Sequence, residues 1–200
     1  MINAIIFDFG DVFINLDKNA TLEGLKKIGI SEWNEDLNKL NILFEKGEIS
    51  REDFLLGIQK YAPKATTDEI LEAWSAILLD FPLYRLEFLQ MLSQKYRLFL
   101  LSNTDSIHID TFEQKNGVSF YSDFYQCFEK VYFSFEMGMR KPDTEIFNHV
   151  LNKHDLQAKR TLFVDDKKEN TDTALSLGIN VWNLQVGQED VVDLFEKNII

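Results

Sequence analysis

The sequence predicts an α/β fold, in which helices flank a parallel sheet and a small helical bundle is inserted after the first strand. Three observations lead to this prediction. Short apolar runs recur along the chain, amphipathic helical segments separate the later runs, and the long stretch between the first two runs is helical in pattern throughout. Alternating strands and helices are typical of βαβ units, and therefore of a parallel sheet.

The predicted strands are short apolar runs without strict alternation of polar and apolar residues. The runs are 4–9, 97–102, 131–134, 161–165 and 179–183. Strands that are covered on both faces have this pattern, because neither face meets water.

Two helices are predicted between the later strands. The segment 143–153 places four apolar residues on one face and has Pro142 just ahead of it. The segment 168–177 is followed by Gly178, at the position where a glycine often ends a helix.

The segment 17–80 contains only amphipathic helical stretches. Ser50 and Thr67 are each followed by acidic residues and are predicted helix starts. The sequence therefore predicts a core domain made of residues 1–16 and 81–200, with residues 17–80 as an inserted helical domain.

Composition narrows the possible partners and the compartment. The net charge is −12, which disfavours binding to nucleic acid or to an anionic membrane. The single cysteine, Cys127, forms no internal disulfide and no thiolate metal site, and we expect it to be buried. The first residues lack the pattern of a signal peptide, and no apolar run is long enough to span a membrane. We expect a cytoplasmic protein; its oligomeric state is left open.

Polar residues end several of the predicted strands. Asp8 follows the first apolar run, Ser102 ends the second, and Asp165 with Asp166 ends another. The carboxyl ends of parallel strands meet at one edge, where ligands bind in open α/β sheets. Lys141 lies in the loop before a predicted helix on the same sheet.

These side chains suit phosphoryl transfer. Crowded carboxylates repel one another, and Mg²⁺ together with a lysine would relieve this repulsion. One aspartate would attack phosphorus, and a serine hydroxyl would hold a phosphate oxygen. Each residue alone is more often an ordinary turn or cap residue. Only their combined order makes the prediction specific.

Four motifs carry a resemblance to a known family. FDFGDV, LLSNT, RKPD and FVDDKKEN together resemble the haloacid dehalogenase-like hydrolase superfamily. The sequence around these motifs is most similar to that of small sugar-phosphate phosphatases related to glucose-1-phosphatase. The resemblance implies a Rossmann-like core, a helical cap at residues 17–80 and a phosphorylated small-molecule substrate.

The resemblance also implies roles for individual residues. Asp8 is the expected nucleophile. Ser102, Asn103 and Lys141 are expected to bind the phosphoryl group or the substrate. Asp8, Ser102 and Lys141 are the expected catalytic residues. The expected Mg²⁺ ligands are Asp8, the backbone carbonyl of Gly10, Asp166 and Asp165. Asn170 is expected to orient the metal site or to act through water.

Gly10 departs from the family pattern. Most phosphatases of the superfamily have an aspartate two residues after the nucleophile, which protonates the leaving alcohol. Three explanations are open: a leaving group of low pKa, a second donor such as His108, or slow turnover. The first is the favoured one. Asp11 should not replace the missing acid, because neighbouring residues of a strand point to opposite sides.

The sequence leaves some roles and alternatives open. Three features could face the cleft: His108, Arg140 and the turn 48–54. An ordinary structural role is at least as common for such residues. The favoured function is a Mg²⁺-dependent phosphatase acting on a small phosphorylated metabolite. The alternatives are a metal-independent dehalogenase of the same superfamily, a phosphomutase, which Gly10 disfavours, and a non-catalytic phosphate- or partner-binding module.

Overall fold

A five-stranded parallel sheet forms the centre of the protein in a computed structural model that describes residues 1–200. The strands are β1 (Ala4–Phe7), β2 (Arg97–Ser102), β3 (Lys130–Phe133), β4 (Thr161–Asp165) and β5 (Asn180–Asn183). Their order across the sheet is β3-β2-β1-β4-β5, and all neighbouring pairs are parallel. The predicted α/β fold is confirmed.

Ten α-helices accompany the sheet. They are α1 (Lys18–Lys27), α2 (Glu35–Glu45), α3 (Arg51–Gln59), α4 (Thr67–Ser75), α5 (Leu83–Ser93), α6 (Ser106–Asn116), α7 (Val118–Gln126), α8 (Ser134–Met137), α9 (Thr144–Lys153) and α10 (Lys168–Ser176). Two 3₁₀ segments cover Ala158–Arg160 and Val191–Lys197. No helix is sufficiently long and apolar to cross a lipid bilayer.

Both faces of the sheet are buried, which explains the uninterrupted apolar runs. In β1, Ile5 and Phe7 pack into a cluster with side chains of α5, α6 and α7. Ala4 and Ile6 point the other way, into a cluster with side chains of α9 and α10. Successive residues of a strand alternate between faces, so both sets must be apolar when helices cover both sides.

Helices α1 to α4 form a separate apolar cluster, consistent with the helical pattern of residues 17–80. Phe44, Phe54 and Trp74 are among its buried members, and Ile107 of α6 is the contribution from outside the insert. Ser50 caps α3 as predicted, through a hydrogen bond from the Asp53 amide. The cap of α4 is Thr66, one residue before the predicted start, because its side chain and that of Glu69 form a reciprocal capping box.

The two chain segments that join the insert to the core run side by side. The amide of Asp17 donates to the carbonyl of Ile77, and the amide of Leu79 donates to that of Asn15. Leu16 and Leu78 form an antiparallel bridge between these bonds. Helices α1 to α4 are therefore connected to the rest of the chain through a short paired ribbon.

One prediction about the interior is wrong. Cys127 is half-buried, not buried, because it follows the last turn of α7, and its thiol donates to the carbonyl of Asp123.

Candidate active site

Three carboxylates gather at the carboxyl edge of the sheet. Asp8 directly follows β1, Asp165 ends β4, and Asp166 comes next in the chain. One oxygen from each lies within 4.8 Å of the others. Because β1 and β4 are neighbours in register, two parallel strands are enough to bring these acids together.

Lys141 lies between two of these acids. Its ammonium donates to Asp8 Oδ1 at 2.8 Å and to Asp165 Oδ2 at 2.6 Å. The side chain is wholly buried. Burial lowers its pKa, but the charges of Asp165 and Asp8 outweigh burial and raise the pKa above its usual value. Lys141 is therefore a fixed positive charge beside Asp8.

Asp8 has an excess of negative charge around it. Burial raises its pKa, Lys141 lowers it, and Asp165 and Asp166 raise it further, with a result of about 7. A carboxyl group with this pKa is only partly ionised near neutral pH. An additional cation at the cluster would favour the ionised form that a nucleophile needs.

Asp165 and Asp166 differ in how their oxygens are used. Asp165 is fully buried, and both its oxygens already accept hydrogen bonds, from Lys141, the Lys167 amide and Asn170. Asp166 makes a single contact with a cation, at 3.5 Å from Lys18. Burial and the charge of Asp165 raise the pKa of Asp166. Asp166 has more free oxygen capacity than Asp165 for a metal ion.

The cluster fits a hard divalent cation. Three carboxylates face one buried ammonium, so negative charge is in excess, and oxygen atoms are the ligands that Mg²⁺ prefers. Asn170 Oδ1 is buried next to Asp165 without a hydrogen-bond partner. Metal-bound water would supply such a partner.

Ser102 and Asn103 line the same cavity as Asp8, which has a volume of about 150 Å³. Ser102 is the last residue of β2. The Asn103 amide nitrogen donates to the carbonyl of Lys141 at 2.7 Å, and its oxygen accepts from the amide of Lys141 at 2.9 Å. The Asn103 side chain is thus occupied in holding the loop that carries Lys141.

Leu16 fills the space next to Gly10. A Cβ atom on Gly10 would lie 2.8 Å from Leu16 Cδ1. Asp11 has a left-handed backbone with φ of 57°, and its carboxylate accepts from the Leu16 amide and pairs with Lys18 at 2.9 Å. Asp11 lines a neighbouring groove instead of the cavity around Asp8. In this conformation Asp11 is not placed at the position that the acid missing at Gly10 would occupy.

His108 lines the cavity but has no free proton to give. Its Nδ1 lies 2.9 Å from Asp105 Oδ2 and its Nε2 lies 3.0 Å from the carbonyl of Trp74. Both oxygens are acceptors, so the geometry favours a His108 ring that is protonated at both nitrogens. Burial lowers its pKa, but the Asp105 charge and hydrogen bonds raise it above its usual value. This arrangement argues against His108 as the missing proton donor.

Sequence reasoning missed several groups that the fold brings to the cavity. Glu45 and Lys18 line it from the inserted helices, and Trp74 packs flat on the His108 ring at 5.3 Å. Arg140 does not line the cavity but pairs with Glu45. None of the residues 48–54 lines it either. No local motif marks Glu45 or Lys18, because their placement depends on how the inserted helices dock.

Comparison with known proteins identifies the family. The profile of the haloacid dehalogenase-like hydrolases matches residues 5–184. The chain belongs to this family.

Related members of the haloacid dehalogenase-like family include named phosphatases. The D-ribitol-5-phosphate phosphatase of Bacteroides thetaiotaomicron is 26% identical over 195 residues, which cover 94% of this chain and 95% of the relative. The sesquiterpene phosphatase AstK of Aspergillus oryzae is 29% identical and covers 88% of this chain and 86% of its own.

Solved structures of a family enzyme are similar to this chain over almost its whole length. The family enzyme bt-2542 of Bacteroides thetaiotaomicron has a TM-score of 0.87 and 36% identity, covering 97% of this chain and 98% of its own. The wild-type form of that enzyme has also been crystallised with magnesium and inorganic phosphate, in a structure with a TM-score of 0.84 that covers 94% of this chain and 97% of its own.

Proposed function

We propose that this protein is a Mg²⁺-dependent phosphatase that hydrolyses a small phosphorylated metabolite through an aspartyl-phosphate intermediate. The observation that carries the proposal is the cluster of three carboxylates around the buried Lys141, next to a cavity that Asp8 lines. Two related phosphatases of the same family act on phosphorylated small molecules, by name a ribitol phosphate and sesquiterpenes.

In this proposal Asp8 is the nucleophile. Its carboxylate oxygen forms a bond to phosphorus while the bond from phosphorus to the leaving oxygen breaks. Water then attacks the aspartyl-phosphate, which releases phosphate and restores Asp8. Lys141, 2.8 Å from Asp8, neutralises charge on the nucleophile and on the transferring group. Ser102 binds a phosphate oxygen, and Asn103 positions the Lys141 backbone.

The proposed metal ligands are Asp8, Asp166 and the backbone carbonyl of Gly10. Asp165 lies beside them and holds Lys141 and Asn170. When bound, Mg²⁺ supplies positive charge that offsets the carboxylates and the phosphate oxygens. Residues 17–80 are proposed to form a cap that covers the cavity and excludes bulk water.

The leaving oxygen receives no proton from the chain at Gly10. The favoured explanation remains a leaving group that is stable as an anion. General acid–base assistance is typically worth about 10²–10⁴-fold, so its absence slows alkyl phosphates without abolishing their turnover.

A metal-independent dehalogenase is less compatible with the site. Three carboxylates around a single buried cation are costly without a metal, and the raised pKa of Asp8 reflects this cost. In a phosphatase the excess negative charge of the carboxylates would bind the metal ion that the phosphoryl group also requires.

Phosphate release tests the proposal. The panel should include sugar phosphates, polyol phosphates, nucleotides and p-nitrophenyl phosphate, each with Mg²⁺ and with EDTA. Release should require Mg²⁺ and should be lost in Asp8→Asn, whereas Asp68→Asn, an exposed acid on α4, should retain it. If no compound is hydrolysed although the folded protein binds inorganic phosphate, the non-catalytic binding module becomes the better description.

A further inference from the structure

One acidic side chain on the wall of the cavity has no part in phosphoryl transfer. Glu45 is the last residue of α2, and it is the only acid from residues 17–80 that lines the cavity. In the proposed reaction the phosphate lies at Asp8 and Ser102, so Glu45, which lines the same cavity from α2, is available to the rest of the substrate. Its chemistry therefore bears on which substrate is accepted.

Glu45 is held rigidly and keeps one oxygen available. Arg140 donates to its Oε2 through Nε at 3.1 Å and Nη2 at 2.9 Å. The other oxygen, Oε1, accepts one long hydrogen bond of 3.3 Å from Asn41. A carboxylate oxygen has two acceptor sites, so Oε1 can accept a further hydrogen bond. The Glu45 side chain retains 18% exposure.

The basic side chains near Glu45 each have partners within the protein. Lys18 pairs with Asp11 at 2.9 Å, and both ring nitrogens of His108 are bound to Asp105 and to the Trp74 carbonyl. Arg140 does not line the cavity, so it offers a ligand no direct hydrogen bond. Apart from the exposed ammonium of Lys18, the polar group that residues 17–80 add to the cavity wall is the negatively charged acceptor of Glu45.

We propose that Glu45 is the substrate-specificity residue of the inserted helices. Its Oε1 accepts a hydrogen bond from a hydroxyl of a polyol or sugar monophosphate, and its charge repels substrates with a second anionic group. The apolar side chains of Leu16, Ile77 and Leu78 pack against the carbon chain. The proposal rests on the phosphatase function above and narrows its substrate class to hydroxylated monophosphates whose remaining atoms carry no charge.

Ligand binding tests this without turnover. In Asp8→Asn protein with Mg²⁺, calorimetry gives the Kd of D-ribitol 5-phosphate and of 3-phosphoglycerate, a carboxylate-bearing monophosphate. The polyol phosphate should bind more tightly. Adding Glu45→Gln should weaken polyol binding about tenfold and should tighten 3-phosphoglycerate binding, because a charge-assisted hydrogen bond and a repulsion are both removed. Glu45→Ala should weaken polyol binding further.

Glu48→Gln is the matched control, because Glu48 is an exposed acid three residues away that does not line the cavity. It should change neither Kd. The proposal is overturned if Glu45→Gln changes both ligands by the same factor, which would indicate only a structural tie to Arg140. It is also overturned if the parent protein binds 3-phosphoglycerate as tightly as the polyol phosphate.

Turnover separates this proposal from the function on which it rests. With Asp8 intact, Glu45→Gln should lower kcat/KM for D-ribitol 5-phosphate more than for p-nitrophenyl phosphate, since the second substrate has no hydroxyl for Glu45. If the parent protein hydrolyses nothing but binds the polyol phosphate selectively through Glu45, the phosphatase function fails and the specificity assignment stands.

Discussion

At the residue scale, Gly10 stands where most phosphatases of the family have an acidic proton donor. The bridge between Gly10 and Ile14 turns the chain so that Leu16 lies directly over the glycine. Leu16 Cδ1 is the far end of a flexible side chain, so it can move aside at modest cost. The apolar side chain, more than the backbone, occupies the place where a proton donor would stand.

We therefore expect the double variant Gly10→Asp with Leu16→Ala to gain activity on substrates with poor leaving groups. Its kcat for an alkyl phosphate should rise, by at most about 10²-fold, because a general acid is restored and space is made for it. Hydrolysis of p-nitrophenyl phosphate, which needs little protonation, should change much less. Leu16→Ala alone is the control. An equal change on both substrates would contradict a role in protonation.

The buried pair of His108 and Asp105 makes stability depend on pH. Burial raises the pKa of Asp105, but His108 and several hydrogen bonds bring it below its usual value. The pKa of His108 is raised. The stabilisation from Asp105 is lost as pH falls through its lowered pKa, and that from His108 is lost as pH rises through its raised pKa. The pair therefore contributes most between about pH 4 and 6.5, the unfolded-state values.

His108→Gln should accordingly cost the most stability in this acidic window. The difference in the free energy of unfolding between the parent and the variant should be largest near pH 5–6 and should shrink above neutral pH, as the parent's imidazolium loses its proton. Denaturant unfolding over a pH series measures it. A difference that is constant from pH 5 to 9 would mean that His108 is neutral in the folded protein.

At the element scale, the strands and some of the helix starts could be predicted from local pattern. Strands β2 and β4 begin and end at the predicted residues, because apolar runs covered on both faces end abruptly at polar side chains. Ser50 was predicted as a cap from its neighbours alone. A gathering of carboxylates could be expected because the carboxyl ends of parallel strands meet at one edge, whereas the adjacency of β1 and β4 is known from the structure. Contacts of Glu45 or His108 with residues far along the chain have no local signal, so they required the structure.

Gly47 also makes a contact with a residue far along the chain. It has a φ of 64° in the turn after α2, and a Cβ there would overlap the backbone carbonyl oxygen of Phe135 in α8. The backbone of Phe135 cannot move aside as readily as the flexible end of the Leu16 side chain at Gly10. The turn between α2 and α3 is thus a docking point of the inserted helices on the core, and Gly47 makes the close approach possible.

Gly47→Ala should push this turn away from α8. We expect a loss of about 2–3 kcal/mol in stability, from overpacking and left-handed strain together, with a lower kcat/KM because Glu45 moves with the turn. Gly187→Ala is the control, since Gly187 has a similar φ of 78° and no atom within 4 Å of its Cβ position. Equal losses in the two variants would assign the effect to backbone conformation alone.

At the scale of the whole molecule, Arg85 joins segments that are far apart in sequence. From α5 it donates to Asp190 near the carboxyl terminus, to the carbonyl of Phe13 and to the side chain of Asn15. Arg85 is only 8% exposed. One guanidinium therefore fixes the start of the ribbon, a helix of the core and the last part of the chain in relation to one another.

Arg85→Met should be strongly destabilising, by about 3–5 kcal/mol, because it leaves Asp190 and two oxygen acceptors without their partner. Arg97→Met provides the contrast, since its ion pair with Glu129 is about 40% exposed on both sides. Loss of an exposed pair should cost about 1 kcal/mol or less. Chemical denaturation of both variants measures the difference. Similar costs would place Arg85 among ordinary surface pairs.

The paired ribbon at Asn15–Asp17 and Ile77–Leu79 has a consequence for how the molecule could be altered. The chain leaves the core and returns to it at adjacent points running in opposite directions, which is the geometry of a hairpin. Replacing the inserted helices by a two-residue turn would close that hairpin without displacing any strand of the sheet. The shortened protein would keep the carboxylate cluster on an open rim, accessible to phosphate groups on molecules as large as another protein.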